Sequence, residues 1–412
     1  MFGFEEIITH ILLFTSLYTE VFLLVTFFEG KKHILKIDDS DPARYLTTTI
    51  IVPCFNEEKT VAGTIMSLLS LNYPKDKLSI FIIDDGSTDG TLSAVRQFND
   101  NPSIKIFSKE NGGKYTALNF GIARASSELI GCLDADSFVD ANALKRIVRR
   151  FENPKTMAVV PTIKIHEPKS AIQLMQKAEY TLSVFIRKTF SFLGSVYITP
   201  GPFSIFRKSV FDTLGPYKHA HNTEDLEIAL RMQSNGLAID NAHDAYVHTV
   251  APRTVYTLLK QRFRWSQGFF ENALDYRFLF FNRSYGNLSS FVLPIAIISL
   301  LSVIYFVIQT LFHIFSIISN KITEVSAVGL TITTNTLTPN WFFISTGSMT
   351  ILGIMLVCFT ITLILIGKWL SEKRPTFSRD MIYFIVFYGL LSPIWITKAA
   401  YNTLLSRKTS WR

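Results

Sequence analysis

The sequence predicts an α/β domain with a mainly parallel sheet, joined to several transmembrane helices. Short apolar segments alternate with longer amphipathic ones between residues 45 and 250, an order typical of strands covered by helices on both faces. Long apolar segments lie on both sides of this range. Hydrophobic residues make up 48% of the 412 residues and charged residues 18%, a balance that fits a soluble domain attached to membrane helices.

The net charge of +8 is not arranged as in a nucleic-acid-binding protein. Basic residues are scattered or adjoin apolar segments, whereas nucleic-acid binding requires basic clusters with aromatic residues among them. Basic residues on the inner side of a membrane, in contact with anionic lipid, account for the charge better. Cys54, Cys132 and Cys358 lack metal-ligand spacing, and the first two are predicted to be buried thiols. We therefore expect the lipid bilayer, and no nucleic acid, as a partner.

Residues 1–30 are predicted to be an N-terminal transmembrane anchor. The apolar run from Ile7 to Phe28 is long enough to cross a bilayer and contains no small-residue cleavage site. Its flanking charges are acidic before the run and basic after it: Glu5 and Glu6, then Lys31, Lys32 and Lys36. Because basic residues stay on the cytosolic side, we expect the N-terminus outside and the chain after residue 30 in the cytosol.

Residues 286–412 are predicted to contain two to three further spans, as in a multi-pass protein of the plasma membrane. The candidate segments are Leu288–Ser319, Trp341–Leu370 and Met381–Leu405. The loop between the last two is basic, as expected on the cytosolic side. The tail is also basic, with Arg407, Lys408 and Arg412. Because Pro393 also interrupts the final segment, that segment either crosses the membrane or re-enters and returns.

Within residues 45–250, apolar segments are assigned to strands and amphipathic segments to helices. The predicted strands are Thr49–Cys54, Ile80–Asp84, Ile104–Ser108, Leu129–Leu133 and Ala158–Pro161. The predicted helices are Glu57–Leu71, Thr91–Phe98, Tyr115–Ala125 and Ala141–Phe151. In sheets of this kind, ligands bind at the carboxyl ends of the strands. The residues that follow these strands are therefore the first candidates for a binding site.

Three of these strands end in candidate functional residues: Pro53, Asn56 and Glu57, then Asp84 and Asp85, then Asp134 and Asp136. In Asp134-Ala135-Asp136 the two carboxylates point the same way if the chain is extended, so both can face one divalent cation. Mg²⁺ commonly takes one or two carboxylates together with substrate phosphates. Ordinary turn chemistry is the alternative for each pattern alone, above all for the Asp-Asp-Gly-Ser sequence.

Two helix starts carry further candidates. Asn111-Gly112-Gly113-Lys114 precedes a helix, where the glycines and the lysine could approach an anionic donor or could form a plain turn. Glu224 and Asp225 precede the helical run Leu226–Ser234. Asp225 is a candidate general base for an acceptor hydroxyl, although helix N-termini favour acidic residues in any case.

Residues 251–285 are predicted to form interfacial amphipathic helices. Gln261, Arg264 and Trp265 stand at i, i+3 and i+4, hence on one helical face. On that face the arginine could bind a diphosphate and the indole could pack against a sugar ring. The alternative is a helix that rests on the membrane through its apolar residues, which are Val255, Leu259, Phe263 and Phe270.

Taken in order along the chain, these motifs resemble those of the family 2 inverting glycosyltransferases. The motifs are Pro53–Glu57, Asp84–Ser87, Asp134–Asp136, Thr223–Asp225 and Gln261–Trp265. They are most similar to the processive membrane synthases of cellulose, chitin, hyaluronan and poly-N-acetylglucosamine, and the last motif is the most specific. The resemblance spans about residues 48–270 and implies a GT-A fold, which is Rossmann-like with a mixed, mainly parallel sheet, for the cytosolic domain 45–250.

The resemblance also implies roles for individual residues. The donor-binding residues would be Pro53, Asn56, Glu57, Asp84, Asp85, Lys114 and Asp134. The ligands of Mg²⁺ or Mn²⁺ would be Asp136 and Asp134. Asp225 would be the catalytic base. The residues at the diphosphate and the acceptor would be Glu224, Gln261, Arg264 and Trp265, with Gly201 and Pro202 lining the acceptor channel.

The expected function is metal-dependent transfer of a sugar from a UDP-sugar to a growing polysaccharide at the cytosolic face. The best candidate donor is UDP-N-acetylglucosamine or a similar hexose donor. The main alternative is a non-processive transferase that loads a polyprenyl phosphate lipid, and the motif Gln261–Trp265 argues against it. A transporter or scaffold is disfavoured because Glu20, His10 and His313 are too few to form a pathway. The expected acceptor is a polysaccharide or a lipid, and an accessory membrane subunit stays open.

Overall fold

The computed structural model of the protein describes residues 3–34, 40–328 and 347–405. In these residues eight strands form one mixed sheet, in the order β3-β2-β1-β4-β7-β6-β8-β5. The strands are β1 Thr48–Cys54, β2 Leu78–Asp84, β3 Ile104–Ser108, β4 Leu129–Cys132, β5 Ser137–Val139, β6 Thr156–Ile165, β7 Ile205–Arg207 and β8 Ala238–Thr249. The helices are α1 Phe4–Gly30, α2 Val61–Leu69, α3 Thr91–Arg96, α4 Lys114–Ile122, α5 Ala143–Arg150, α6 Ala171–Phe192, α7 Lys208–Leu214, α8 Glu224–Ser234, α9 Val255–Asp275, α10 Leu293–Val328, α11 Ser348–Glu372, α12 Arg379–Tyr383 and α13 Gly389–Leu404.

The half of the sheet formed by β1 to β4 is parallel, as the alternation of strands and helices predicts. β1 pairs in parallel with both β2 and β4, and β2 pairs in parallel with β3. The register sets Cys54 opposite Asp84, so the carboxyl ends of these strands lie at one edge. The predicted bounds of these four strands agree with the structure to within about two residues at each end, as strand assignments generally allow.

The other half of the sheet is mixed, and β5, β7 and β8 are absent from the sequence prediction. β5 and β7 are too short to show a period of two along the chain. β8 is long and mostly buried, but it contains polar residues such as Asn241, His243 and Asp244. The carboxylate of Asp244 forms an ion pair of 2.9 Å with the buried guanidinium of Arg150. Because β8 buries polar residues and a paired carboxylate, it lacks the continuous apolar segment by which a core strand is recognised in a sequence.

Apolar side chains cover both faces of the sheet. Ile50 and Val52 of β1 belong to a core shared with α2 and α5, whereas Ile51 belongs to a second core with Phe81 and Ile83. This alternation follows from the opposite direction of successive side chains in a strand. Loops at the carboxyl edge are consequently held from both sides by packed layers.

Four helices among the described residues are long and apolar enough to cross a membrane. They are Phe4–Gly30, Leu288–Ala327, Ser348–Glu372 and Arg379–Leu404. The last of these is helical throughout, and Pro393 lies inside it, so by length and composition it can span a bilayer. Several residues of the topology argument lie outside the described residues, namely Lys36, Trp341, Arg407, Lys408 and Arg412.

Part of the apolar face of α9 packs within the protein. Leu259, Phe263 and Phe270 pack against a buried cluster that includes Met175 of α6 and Trp395 of α13. These three side chains find partners within the protein because α6 and α13 flank α9 on that side. Packing within the protein accounts for these three residues, whereas Val255 is exposed, and the assignment of 251–285 to interfacial helices stays a prediction.

Candidate active site

A cavity of about 190 Å³ lies at the carboxyl edge of the parallel strands. Most of the predicted donor residues line it, together with one arginine of α9: Pro53, Glu57, Asp85, Lys114, Asp134, Asp136 and Arg264. The structure therefore brings together residues from five separate segments of the chain, which the strand-edge rule predicts for β1, β2 and β4. We call this space the donor cavity.

Two predicted donor residues, Asn56 and Asp84, are absent from the lining of this cavity. The Asn56 side chain accepts hydrogen bonds from the backbone N–H and the hydroxyl of Thr88, and Asn56 has a φ of 56°. The Asp84 carboxylate is buried and accepts from the backbone N–H of Ser87 and the hydroxyl of Ser108. Both side chains hold the loops that shape the cavity.

Asp85 lines the donor cavity and also fixes the glycine-containing loop that follows β3. Its carboxylate is paired with Lys109 and accepts the backbone N–H of Gly113 at 2.8 Å. It also accepts the N–H of Gly112 at 3.2 Å. Gly113 has a φ of +89°, a conformation that favours glycine. The loop thus ends in a defined turn that delivers Lys114 into the cavity at the start of α4.

Lys114 is the cation at the centre of the site. Its ammonium lies 2.6 Å from an oxygen of Asp134 and 3.3 Å from an oxygen of Glu224. Burial lowers the pKa of Lys114, but the two carboxylates outweigh burial and raise that pKa well above its usual value. A Cβ atom at Gly201 would lie 2.6 Å from the ammonium and 2.7 Å from Asp134, so a larger residue there would displace this ion pair. Lys114 therefore links Asp134, which follows β4, to Glu224 at the start of α8.

Asp136 is the carboxylate in the cavity best suited to a divalent cation. Burial, followed by the negative charges of Asp134 and Glu57, raises the pKa of Asp136 to about 7. A cation bound there would relieve that repulsion, so the residues present fit a metal ion. No group of three or more acidic, histidine or cysteine side chains with metal-ligand geometry occurs among the described residues. Most of the coordination would consequently come from phosphate and water oxygens, as is usual for Mg²⁺.

Asp225 lies in the first turn of α8. Burial, followed by the neighbouring Glu224, raises the pKa of Asp225 from 3.8 to about 6, while Lys114 and Arg264 lower it. Its backbone carbonyl accepts hydrogen bonds from the N–H and the hydroxyl of Thr199, which fix this turn to the chain before β7. A carboxylate with such a pKa can accept a proton near neutral pH.

The loop before Asp225 is strained and is held by α9. Ala220, His221 and Asn222 have φ values of 43°, 54° and 61°, which non-glycine residues rarely adopt. Arg264 donates to the carbonyl of Asn222 at 3.0 Å. Asn272 donates to the hydroxyl of Thr223 at 2.9 Å. Contacts from α9 thus set the position of the predicted base.

A second cavity, of about 510 Å³, adjoins the first. Lys114, Asp134, Asp136 and Arg264 line both. The other predicted residues in its lining are Gly201, Pro202, Glu224, Asp225, Gln261 and Trp265. Its apolar wall includes Ile186, Phe190, Tyr197 and Phe269. We call this space the acceptor cavity, because it contains the predicted base and lies beyond the donor cavity.

One wall of the acceptor cavity, formed by α6, is missing from the sequence prediction. Glu179, Tyr180, Ser183 and Arg187 of α6 line the cavity. Glu179 pairs with Arg262 at 2.7 Å, and the Arg262 guanidinium lies 4.2 Å from the ring centre of Trp265. The sequence does contain a start signal for this helix, since Ser170 and Gln173 form a capping box.

The sequence resembles those of known proteins over most of its length. Residues 49–215 match the family described as glycosyl transferase family 2. A poly-beta-1,6-N-acetyl-D-glucosamine synthase of Staphylococcus epidermidis is 30% identical over 393 residues, which cover 94% of this chain and 90% of that protein. A synthase of the same description from Staphylococcus aureus (strain COL) is 34% identical over 223 residues, or 53% of this chain and 54% of that protein.

A solved structure shares the overall architecture. It is a mannosyltransferase from Pyrobaculum calidifontis in complex with GDP-Man and Mn²⁺, with a TM-score of 0.56 and 17% identity, and the match covers 97% of this chain and 99% of that one. This likeness shows the GT-A fold that the motifs imply. The alignment with the relative from Staphylococcus epidermidis covers 94% of this chain, so it extends beyond the domain into the candidate spans. The chain therefore belongs to glycosyltransferase family 2.

Proposed function

We propose that the protein transfers N-acetylglucosamine from UDP-N-acetylglucosamine repeatedly to a growing β-1,6-linked polymer at the cytosolic face of the membrane. The observation that carries this proposal is the junction of the two cavities. Lys114, Asp134 and Arg264 line both, so a donor phosphate and an acceptor hydroxyl can meet there. The relative that is 30% identical over 94% of the chain carries the name of such a synthase, which supports the sugar and the linkage.

In this proposal the donor cavity binds the nucleotide. Pro53, Glu57 and Asp85 would surround the uridine, and Lys114 and Arg264 would face the diphosphate. Lys114 is paired with Asp134 and Glu224. The oxygens of an incoming diphosphate would replace one of these carboxylates as the partner of Lys114. A charge-assisted contact is thereby replaced by another, which limits the cost of removing the phosphates from water.

Asp136 would hold Mg²⁺ or Mn²⁺, with Asp134 beside it. When bound, the ion would offset the charge that develops on the departing UDP. The protein contributes to the donor cavity the buried carboxylate of Asp136, which would hold the ion, and the cations Lys114 and Arg264, which would contact the diphosphate. The raised pKa of Asp136 supports this assignment, because a site with surplus negative charge favours a cation.

Asp225 would accept the proton of the acceptor hydroxyl. The attack is then a single displacement from the face opposite the leaving UDP, which inverts the anomeric centre. A positioned base of this kind contributes typically about 10²–10⁴-fold to the rate. Trp265 would stack on the terminal sugar. The buried carbonyl oxygen of Gln261, which has no hydrogen-bond partner in the part of the chain that the structure describes, could accept from one of the sugar hydroxyls.

Repeated transfer requires a path that retains the chain end. The acceptor cavity has an apolar and aromatic wall, and apolar ring faces suit the flat faces of sugars. The cavity is bounded by α6 and α9, which pack on the candidate spans α11 and α13. A polymer could therefore pass from this cavity toward the membrane. Lys31 and Lys32 directly follow α1, which supports a cytosolic position for the domain.

The test uses the purified full chain in phospholipid vesicles, supplied with radiolabelled UDP-sugars and Mg²⁺ or Mn²⁺. We expect polymer only from UDP-N-acetylglucosamine, loss of synthesis after chelation, and digestion of the product by a hydrolase specific for the β-1,6 linkage. UDP-glucose and UDP-glucuronic acid serve as control donors. A product with a single sugar on a lipid would contradict the repeated transfer and favour the polyprenyl phosphate alternative.

A further inference from the structure

Arg187 of α6 carries a positive charge in the acceptor cavity that none of the described residues neutralises. One guanidinium nitrogen, Nη2, donates to the hydroxyl of Ser183 at 2.7 Å. The other, Nη1, is buried and has no hydrogen-bond partner among the described residues. Arg187 forms no ion pair with a carboxylate of the described residues, and the groups that affect its pKa electrostatically are the phenols of Tyr180 and Tyr197. A buried guanidinium that lacks both a partner for one nitrogen and a neutralising carboxylate is costly, and this combination points to a missing anionic ligand.

The other cations around the cavity have acceptors. Lys114 pairs with Asp134 and Glu224. Arg262 pairs with Glu179, so its charge is compensated even though its Nε and Nη1 also lack a hydrogen-bond partner among the described residues. Arg264 donates to a backbone carbonyl and lies near Asp225. The groups around Arg187 are mainly neutral. They include the phenol rings of Tyr180 and Tyr197, whose pKa values are both raised by burial. Burial lowers the pKa of Arg187 itself to about 10, so this side chain stays charged at neutral pH.

The donor diphosphate is not the ligand that Arg187 lacks. Lys114 and Arg264 line the donor cavity, whereas Arg187 lines only the acceptor cavity. An anion at Arg187 would therefore arrive with the acceptor or from the surrounding lipid. A guanidinium matches the oxygens of a phosphate or a carboxylate through two parallel hydrogen bonds.

The surroundings of Arg187 favour an amphiphile. Ile186, Phe190, Tyr197 and Phe269 form the apolar wall on this side of the cavity. The opposite face of α6 packs against the membrane helices, where Val184 and Phe185 contact a cluster with Leu363 of α11. A cation beside apolar side chains, one helix away from a candidate span, suits a phosphate group that carries a hydrocarbon chain.

We propose that Arg187 is the binding site for the phosphate headgroup of a membrane lipid, which enters the acceptor cavity from the bilayer. The proposal rests on the proposed function only in taking this cavity as the acceptor site. The lipid phosphate would occupy Nη1 and Nη2 of Arg187. Its hydrocarbon chain would lie along the apolar wall, where Phe190, Tyr197 and Phe269 pack in one cluster with Leu288 and Val292 at the start of the candidate span Leu288–Ala327. Such a lipid is suited to start a chain or to retain one at the membrane.

Native mass spectrometry of the detergent-purified full chain tests this binding without any need for sugar transfer. Phosphatidic acid is titrated, and phosphatidylcholine, whose phosphate charge is balanced by choline, is the comparison lipid. We expect one molecule of phosphatidic acid to be retained, about tenfold more tightly than by Arg187→Gln, a factor that corresponds to ~1.4 kcal/mol. Arg187→Lys keeps the charge but not the planar fork, so we expect intermediate affinity.

The matched control is Arg374→Gln, which removes an exposed arginine between α11 and α12 without touching the cavity. This variant should retain phosphatidic acid as the wild type does. Equal retention by the wild type and Arg187→Gln would overturn the proposal. So would equal retention of phosphatidylcholine, or displacement of the lipid by an equimolar concentration of inorganic phosphate. A failure to polymerise N-acetylglucosamine would instead contradict the proposed function and leave this binding result intact.

Discussion

The carboxylate of Asp225 combines burial, a raised pKa and a place on the wall of the acceptor cavity. It is absent from the lining of the donor cavity. This separation means that a base acting on the acceptor can be removed without disturbing the nucleotide. Substitution of Asp225 can therefore separate nucleotide binding from proton transfer.

Asp225→Asn should reduce sugar transfer by about 10²–10⁴-fold, because the amide cannot accept the proton of the acceptor hydroxyl. UDP binding, measured by calorimetry with Mn²⁺ present, should stay within about twofold of the wild type by the same reasoning. Asp225→Glu serves as the control that keeps a carboxylate. If Asp225→Asn retained transfer within about tenfold of the wild type, another group would have to be the base.

The pH profile provides a second test of the same residue. Because the raised pKa of about 6 leaves Asp225 partly protonated in mild acid, kcat/KM should fall as the pH drops through about 6. An unperturbed aspartate would place this fall near pH 4. Saturating Mn²⁺ is required at each pH, since protonation of Asp136 would also lower activity. An acid limb near pH 4 would contradict the assignment of Asp225.

At the scale of elements, α6 and α9 form one unit around Trp265. Glu179 of α6 holds Arg262 of α9, and the Arg262 guanidinium lies against the indole of Trp265 one turn further along. The Arg262 side chain is buried, so its charge depends on Glu179 for compensation. We infer that Glu179 and Arg262 are positioning residues for the indole.

Glu179→Gln should shorten the polymer and lower the ratio of polymer to hydrolysed donor by about tenfold, because water needs no stacking platform. The matched control is Lys177→Gln, which breaks the 3.1 Å ion pair between Lys177 of α6 and Glu372 of α11 outside the cavity. Gel analysis of polymer and chromatography of free sugar give the ratio. If Glu179 had only a structural role, Glu179→Gln would lower polymer formation and donor hydrolysis to the same extent, as we expect of any loss of stability in Lys177→Gln.

The limits of sequence-based prediction are also clearest at this scale. Asp134, Asp136 and Asp85 could be predicted because parallel strands end at a common edge, which is a local rule. The roles of Asn56 and Asp84 depend on hydrogen bonds to Thr88 and Ser108, which only the folded loops reveal. The wall formed by α6 escaped prediction because its position comes from packing against distant membrane helices. Long-range contacts of that kind leave no periodic signal in the sequence.

At the scale of the whole molecule, the domain and the candidate membrane spans share hydrophobic cores. Met175 and Ala178 of α6 are fully buried in a cluster with Ile364 and Trp395. Val184 and Phe185 are buried against helices α1 and α11. Burial of these side chains contributes about 5 kcal/mol or more, at roughly 1.5–3 kcal/mol for each large apolar group. This contribution is comparable with the whole stability of a typical domain, which is about 5–15 kcal/mol.

The segment 45–250, predicted from the sequence as the cytosolic domain, should therefore fail to fold stably when produced alone. Without α11 to α13 it would expose the apolar face of α6 to water, and we expect aggregation or a broad thermal transition. The full chain in detergent is the reference. A second fragment tests the cause: segment 45–250 with polar substitutions at Met175, Val184 and Phe185 should be more soluble than the unmodified fragment. A monomeric unmodified fragment with a sharp, cooperative unfolding transition would contradict this account. The segment 45–250 would then be stable without its contacts to α1 and to α11–α13.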